Sequence, residues 1–289
     1  MRCDLHVHTS HSGMCTIPLL RHVCRECYTD PLAVYDRLKS LGMDLVTVTD
    51  HDSIDAVEIL RGRPDFFLSE EATCRLPSGT ELHIGIYDIT EHDHIQIQRR
   101  RDDFESLAAY LHERNLFYSA NHVFSSLTGR RAIADFELFE LTFPALETRN
   151  GHMLARANHN AALLADFSAR AEVGGSDAHV LASAGCAWTV VPRARTRQEY
   201  LDGLRRGMGK VRGATGSYFK LTRDVLTIGG LMVREKPWTA VIAPLATLVP
   251  FIMLGNYAIE TVFARWWMAR YLQARSRRTA EPAVAGVAA

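Results

Sequence analysis

The residues with most chemical capacity fall in short clusters: His6 with His8, then Asp50-His51-Asp52, Glu70-Glu71, His83, His122, and Asp177 with His179. Imidazole nitrogens combined with carboxylates suit zinc, manganese or iron, whereas calcium prefers an all-oxygen shell. Gathered in one place, such groups hold divalent ions that lower the pKa of water and act as Lewis acids, which is hydrolytic chemistry. No single cluster establishes this. With 13 histidines in 289 residues, about 0.6 His-x-His patterns arise by chance, so His6 and His8 carry little information alone. Their order along the chain and the elements that carry them must supply the rest.

Short apolar runs read as strands at 2–7, 43–49, 65–68, 82–87, 116–120, 145–147 and 171–174, with helical patterns at 31–42, 102–115 and 152–168. Asp30-Pro31 offers an N-cap followed by proline at the first helical position. This alternation predicts an α/β fold with a largely parallel sheet. Each cluster then lies in or just beyond a strand, where an α/β barrel gathers its chemistry. On an extended strand, residues i and i+2 share a face, so His6 and His8 can converge on one ion.

Taken in order, DLHVHTSHS, TDHD, a glutamate followed by ELH, ANH and GGSDAH resemble the motifs of the PHP (polymerase and histidinol phosphatase) phosphoesterases. The resemblance covers about residues 1–215. It implies a distorted (β/α)7 barrel, similar to a TIM barrel, with two or three metal ions at the strand C-termini. It also implies that one metal takes His6, His8, Glu71 and Asp177, and that a second shares Glu71 and adds His83 and His122. A third, where present, would use His51 and His179. Glu71 is taken over Glu70 because its spacing to His83 matches the family; strand parity does not separate them. Glu71, Asp177 and His179 are the expected catalytic positions. Glu147 and Asn150 in ALETRNG resemble the family's E-x-x-N stretch and are expected to support the ligands.

Many members place an aspartate or histidine shortly after the first motif to complete the third site. Here those positions read Ser12-Gly13-Met14, leaving His11 and Cys15 as nearby substitutes. His22, Cys24 and Cys27 cluster in RHVCRECY. With Cys15, this C-x2-C could form a small zinc site, or be an ordinary pair of reduced thiols. Arg130 and Arg131 have the guanidinium geometry to clamp a phosphate, or are an exposed basic pair. His92 and His94 lie in a charged, helix-like stretch where i and i+2 diverge, and read as solvated. His112, His152 and His159 receive no role.

Lysine plus arginine equals aspartate plus glutamate, 33 each, so no net field favours a polyanion, and no stable nucleic-acid partner is expected. No apolar leader precedes Asp4, which makes the cytoplasm the expected compartment. Residues 216–237 read as a linker, 238–278 as a hydrophobic and basic helical extension, and 279–289 as a disordered tail. Residues 239–259 contain no charge, and as a helix they would be roughly 31 Å long, enough to cross a bilayer core. A single crossing would place Arg265, Arg270, Arg275, Arg277 and Arg278 outside, against the positive-inside tendency. Pro244 and Pro250 would also interrupt it. A peripheral hairpin at the cytoplasmic membrane face is therefore expected; a helix packed on the barrel or on a partner chain is the alternative. The expected activity is metal-dependent hydrolysis of a small phosphate ester. The alternatives are a membrane-tethered metal-binding regulatory module without turnover, and a nuclease-type phosphodiesterase.

Overall fold

The computed structural model describes residues 1–280, so the expected tail at 279–289 lies almost wholly outside them. The first half runs β1 (Arg2–Cys3), α1 (Pro31–Ser40), α2 (Val57–Leu60), β2 (Ser69–Arg75), β3 (Glu81–Tyr87), α3 (Glu91–Gln98), α4 (Phe104–Glu113) and β4 (Phe117–Ala120). There follow α5 (Ile133–Thr142), β5 (Ala145–Asn150), α6 (Ala155–Ser168), β6 (Ala171–Gly175), β7 (Ala187–Val190), α7 (Arg197–Arg205) and β8 (Lys210–Gly213). The chain then continues through α8 (Tyr218–Glu235), a 3-10 segment (Pro237–Leu248) and α9 (Val249–Ala280). The stretch read as a linker, 216–237, is thus mostly helix.

Capping chemistry places α1 where the sequence predicts it: the Asp30 carboxylate accepts from the Leu32 and Ala33 amides, with Pro31 opening the first turn. The sheet departs from expectation. A five-stranded sheet has the order β2-β3-β4-β5-β6, but β2–β3 and β3–β4 are antiparallel and only β4–β5–β6 is parallel. The cause is local. Leu76 to Thr80, with Pro77 and Gly79 inside, turns β2 straight back into β3 rather than through a crossover helix. A separate antiparallel sheet joins β1, β7 and β8.

The stretches expected as full strands at 2–7 and 43–49 join their neighbours only through short or isolated pairings. Val7 bridges Ala178, and Val46 bridges Phe66. Side chains take the amides that a ladder would use: His6 N donates to Asp4 Oδ1, Val7 N to Thr49 Oγ1, and Thr9 N to Asp50 Oδ1. These two stretches carry His6 and lead directly into His8 and His51, so the backbone that aims them is held by polar side chains as well as by neighbouring strands.

The largest apolar core packs β2–β5 against α4, α5 and α6, and it includes Ala264, Trp267, Met268 and Tyr271 of α9. The second half of α9 therefore belongs to the globular body. Tyr271 and Arg275 both hydrogen-bond Glu140, and Asn160 Nδ2 donates to the Ala264 carbonyl at 2.7 Å. Trp267 is buried, and Arg275 and Arg278 pair with Glu140, so this half of the expected hydrophobic and basic extension packs on the body.

Candidate metal centre

Glu71 is fully buried on β2, and five imidazoles surround its carboxylate. Its Oε2 lies 3.1 Å from His6 Nε2, 3.5 Å from His8 Nε2, 3.2 Å from His51 Nδ1 and 3.6 Å from His83 Nδ1. Oε1 lies 3.3 Å from His122 Nε2 and accepts from Asn121 Nδ2 at 2.8 Å. Asp177 closes the other side, its Oδ1 being 3.5 Å from His6, 3.3 Å from His8 and 3.7 Å from His179 Nδ1. The structure thus brings together His6, His8, His51, Glu71, His83, His122, Asp177 and His179.

The fold supplies them from several segments, His6 with His8 from one and Asp177 with His179 from another. Glu71 and His83 sit on the two arms of one hairpin, and His51 meets Glu71 through a parallel bridge. His122 follows β4 and Asp177 follows β6, both with left-handed backbone (φ 32° and 51°). Such φ values are uncommon outside glycine and mark positions where the surroundings impose the conformation. Gly175 must be glycine, because a Cβ there would lie 2.2 Å from the His6 amide nitrogen.

Hydrogen bonding around the cluster assigns the histidine tautomers. His6 Nδ1 donates to Glu147 Oε1 at 2.8 Å. Glu147 in turn accepts from the His122 amide and from Asn150, which also reaches Asp177. His8 Nδ1 lies 2.9 Å from Ser12 Oγ, and that hydroxyl donates to Asp50 Oδ1 at 2.7 Å. Asp50 receives only donors, including the Thr9 amide and hydroxyl. Ser12 therefore accepts from His8 Nδ1–H, which leaves the lone pair of His8 on Nε2.

Two imidazole nitrogens and two carboxylates then point at one another, an arrangement that only a positive charge satisfies. Burial opposes charge on His6, but Glu71, Asp177 and Glu147 outweigh it and hold its pKa well above the ordinary value. Burial, with His179 and His51, holds His8 well below. Glu71 and Asp177 remain ionised against burial because His6 faces both. His51 Nδ1, Glu71 Oε2, His83 Nδ1, His122 Nδ1 and His179 Nε2 are buried without a hydrogen-bond partner. Four groupings drawn from the eight residues have donor atoms within 4.8 Å of one another: His6–His8–Asp177, His6–Glu71–His122, His51–Glu71–His83 and His8–His51–His179. Divalent ions fit this donor set.

Sequence reading missed Glu26. Its Oε1 lies 3.5 Å from His51 Nε2 and 3.6 Å from His179 Nε2. Despite partial burial, these two imidazoles hold its carboxyl far below the usual range, and Glu26 helps raise His51 to about 9 against the cost of burial. It stands where the Ser12-Gly13-Met14 stretch lacks a ligand. The available signal is that Glu26 is the only carboxylate between Asp4 and Asp30. Also missed is His152, which lies beside Asp177 and His179 within the same 4.8 Å limit. Its Nε2 is 3.8 Å from Asp224 of α8.

Several expectations are corrected. Arg131 is buried and donates to the Glu81 and Val123 carbonyls and to Thr128, so it buttresses a loop and is not free to clamp phosphate; Arg130 is exposed. His94 is not solvated: its Nδ1 meets the buried Glu70 at 2.9 Å, and Gln98 donates to the same oxygen. Glu70 therefore points to the opposite side of β2 from Glu71. Among the described residues, no grouping of metal-capable side chains includes Cys15, Cys24 or Cys27. Burial pushes the Cys24 and Cys27 thiols up to about 11 and 12, so both stay protonated. His11 uses its amide to reach Thr9, and the exposed His22 meets Arg21; neither joins the cluster.

A family model described as PHP-associated matches residues 155–208, the stretch from α6 to the end of α7 that contains Asp177 and His179. No curated protein matches the sequence. Solved structures share the fold. PsfC from Pseudomonas syringae is 18% identical, with a TM-score of 0.55 over 80% of this chain and 97% of its own. A two-domain protein from Bacteroides vulgatus containing a predicted PHP-like metal-dependent phosphoesterase is 15% identical, with a TM-score of 0.57 over 74% of this chain and 65% of its own. The lesion-specific endonuclease PfuEndoQ from Pyrococcus furiosus is 16% identical, with a TM-score of 0.50 over 73% of this chain and 58% of its own.

Proposed function

We propose that the chain is a PHP-type metal-dependent hydrolase acting on phosphate esters of small molecules, a reading supported by the PHP-associated match over residues 155–208 and by the fold shared with a protein containing a predicted PHP-like metal-dependent phosphoesterase. The observation that carries this reading is the convergence of five imidazoles on the buried carboxylate of Glu71, with Asp177 closing the opposite side. His6, His8, Glu71 and Asp177 would hold one ion, and Glu71, His83 and His122 a second. His51, His179 and Glu26 would hold a third. Zinc, manganese and iron all accept this donor set. Bound there, divalent ions supply Lewis-acid stabilisation of phosphoryl oxygens and lower the pKa of water towards neutrality.

The chain's own residues set the conditions for that chemistry. Glu147 keeps the His6 proton on Nδ1, and the Ser12–Asp50 pair keeps the His8 proton on Nδ1, so both Nε2 lone pairs face inward. Asn150 ties Glu147 to Asp177 and fixes the spacing of the two sides. Burial of Glu71 excludes water from its free oxygen, which strengthens its attraction for cations. The net neutral charge of the chain fits a small substrate better than a nucleic acid.

The test is hydrolysis of phosphomonoesters and nucleotides by protein loaded with manganese, iron or zinc, beside Glu71→Ala. Wild-type turnover that Glu71→Ala lacks supports the reading. Equal rates for the two proteins on every substrate would sink it.

A further inference from the structure

Residues 239–259 carry no charge, and the structure leaves them largely in solvent. An 18-residue window of the helix Pro237–Thr279 has a mean hydropathy of 1.8 and is only 6% buried. Core helices of comparable hydropathy are mostly hidden. Helix α8 lies alongside, with Tyr218 Oη donating to the Pro250 carbonyl at 3.1 Å. Together they form a hairpin whose outer face exposes Val241, Leu245, Phe251, Ile252, Ile259 and Val262. An apolar face of this extent on a protein surface marks an interaction site.

The ends of the hairpin are fixed to the body. At the turn, Lys236 Nζ donates to the Val23 carbonyl, and Glu235 pairs with Arg25. Beyond the apolar face, Glu260 accepts from Ser126, and Trp267 and Tyr271 are buried in the main core. Anchored at both ends and interrupted by Pro244 and Pro250, the stretch cannot leave the body to cross a bilayer as an independent helix.

Charge and aromatic placement name the occupant. Trp238 and Trp266 are exposed at opposite ends of the apolar face, and the Arg270 guanidinium stacks over Trp266 at 4.8 Å. Tryptophan beside arginine at the edge of an apolar band is the arrangement of a membrane interface. Of the basic residues at 216–280, Lys220 and Arg223 pair with Asp224 and Arg275 and Arg278 with Glu140, while Arg234, Arg265 and Arg270 are exposed without an ion-pair partner among the described residues; the acidic residues are Asp224, Glu235 and Glu260. Asp224 and Glu260 are buried, and Glu235 is paired. A second copy of this face would set positive charge against positive charge, whereas anionic lipid headgroups complement it.

We propose that the face formed by α8, the 3-10 segment and the first half of α9 docks the protein flat on an anionic lipid bilayer. Its apolar side chains enter the acyl boundary, and Arg265 and Arg270 lie at headgroup level. Flotation of the full-length, metal-loaded protein with vesicles tests this, using phosphatidylcholine alone and phosphatidylcholine mixed with phosphatidylglycerol. Wild type is expected to float with the mixed vesicles and to dissociate as salt rises. The double variant Phe251→Glu/Ile252→Glu, with unchanged circular dichroism and metal content, should bind at least about tenfold more weakly. Should that variant misfold, brominated lipids decide on folded protein: they should quench tryptophan emission in wild type and quench Trp238→Phe/Trp266→Phe much less. The proposal is overturned by no flotation, by flotation the charged variant leaves intact, or by a dimer in light scattering that this variant dissolves while vesicles bind neither protein.

Discussion

The rings of His6 and His8 meet nitrogen to nitrogen, Nε2 to Nε2, at 3.1 Å. With the Nδ1 protons of both rings committed to Glu147 and Ser12, the two Nε2 atoms need a cation between them, a second proton on His6 or a metal ion, and Glu71 and Asp177 add negative charge at the same point. The contact makes sense as the inner surface of a cation site. Because the hydrogen bonds behind the rings enforce it, those bonds are as open to test as the ligands themselves.

Ser12 is the first test. Replacing Ser12 with alanine removes the acceptor for His8 Nδ1–H and frees the ring to hold its proton on Nε2, where it blocks a metal. Metal affinity measured by titration calorimetry should fall by about 10- to 100-fold, with the fold retained. Unchanged affinity would mean that the Ser12–Asp50 pair does not control the tautomer.

Glu70 and Glu71 are adjacent yet face opposite sides of β2. Glu71→Ala should lose bound metal and reduce turnover by more than roughly a hundredfold, since a ligand matters more than its supporting shell. Glu70→Gln, which disturbs only the contacts with His94 and Gln98, should keep its metal. Elemental analysis of the two purified proteins distinguishes them, and equal metal loss would show that the strand face has been misread.

Glu26 reaches His51 and His179 from the long loop before α1. Glu26→Ala should carry one ion fewer per chain than wild type, read by plasma mass spectrometry after anaerobic purification. Metal content equal to wild type would remove Glu26 from the ligand set.

Away from the centre, Asp93 gives a pH prediction. Despite burial, its carboxylate accepts from Thr90, Tyr110 and Arg114, and these bonds lower its pKa to about 2. A carboxyl depressed in the folded state stabilises it above the unfolded pKa and loses that contribution as pH falls through the folded value. Asp93→Asn should therefore be less stable by on the order of 1–2 kcal/mol at neutral pH, with the gap closing between about pH 4 and pH 2. Urea denaturation at both ends of that range measures it, and a gap that does not change with pH would refute the assignment.

The residues that meet around Glu71 are legible in sequence because each sits in a short motif at the edge of an apolar run, and a strand end fixes where such a residue goes. What sequence pattern misses is set by tertiary contact. MDLVTVT has the composition of a strand, yet its role is to align His51 through single bridges and side-chain bonds. Leu76 to Thr80 carries a turn signal that outweighs the parallel pattern around it. His94 looks solvated along its own helix, because the partner that buries it, Glu70, lies on another element. Glu26 belongs to a loop without periodicity, so only its isolation as a carboxylate marks it.

The site also has an order of assembly. Glu71 and His83 lie on the arms of one hairpin, close in sequence, and find each other at little cost in loop entropy. His6 must find Asp177 from far along the chain, and the His6 carbonyl accepts from the Asp177 amide at 2.6 Å. Such non-local closure is the slow part of folding. On the ribosome, the hairpin half emerges first and waits for β6 and the Asp177–His179 turn. A chain cut short before β6 therefore keeps Glu71 and His83 but lacks Asp177 and His179, the opposite wall of the cluster.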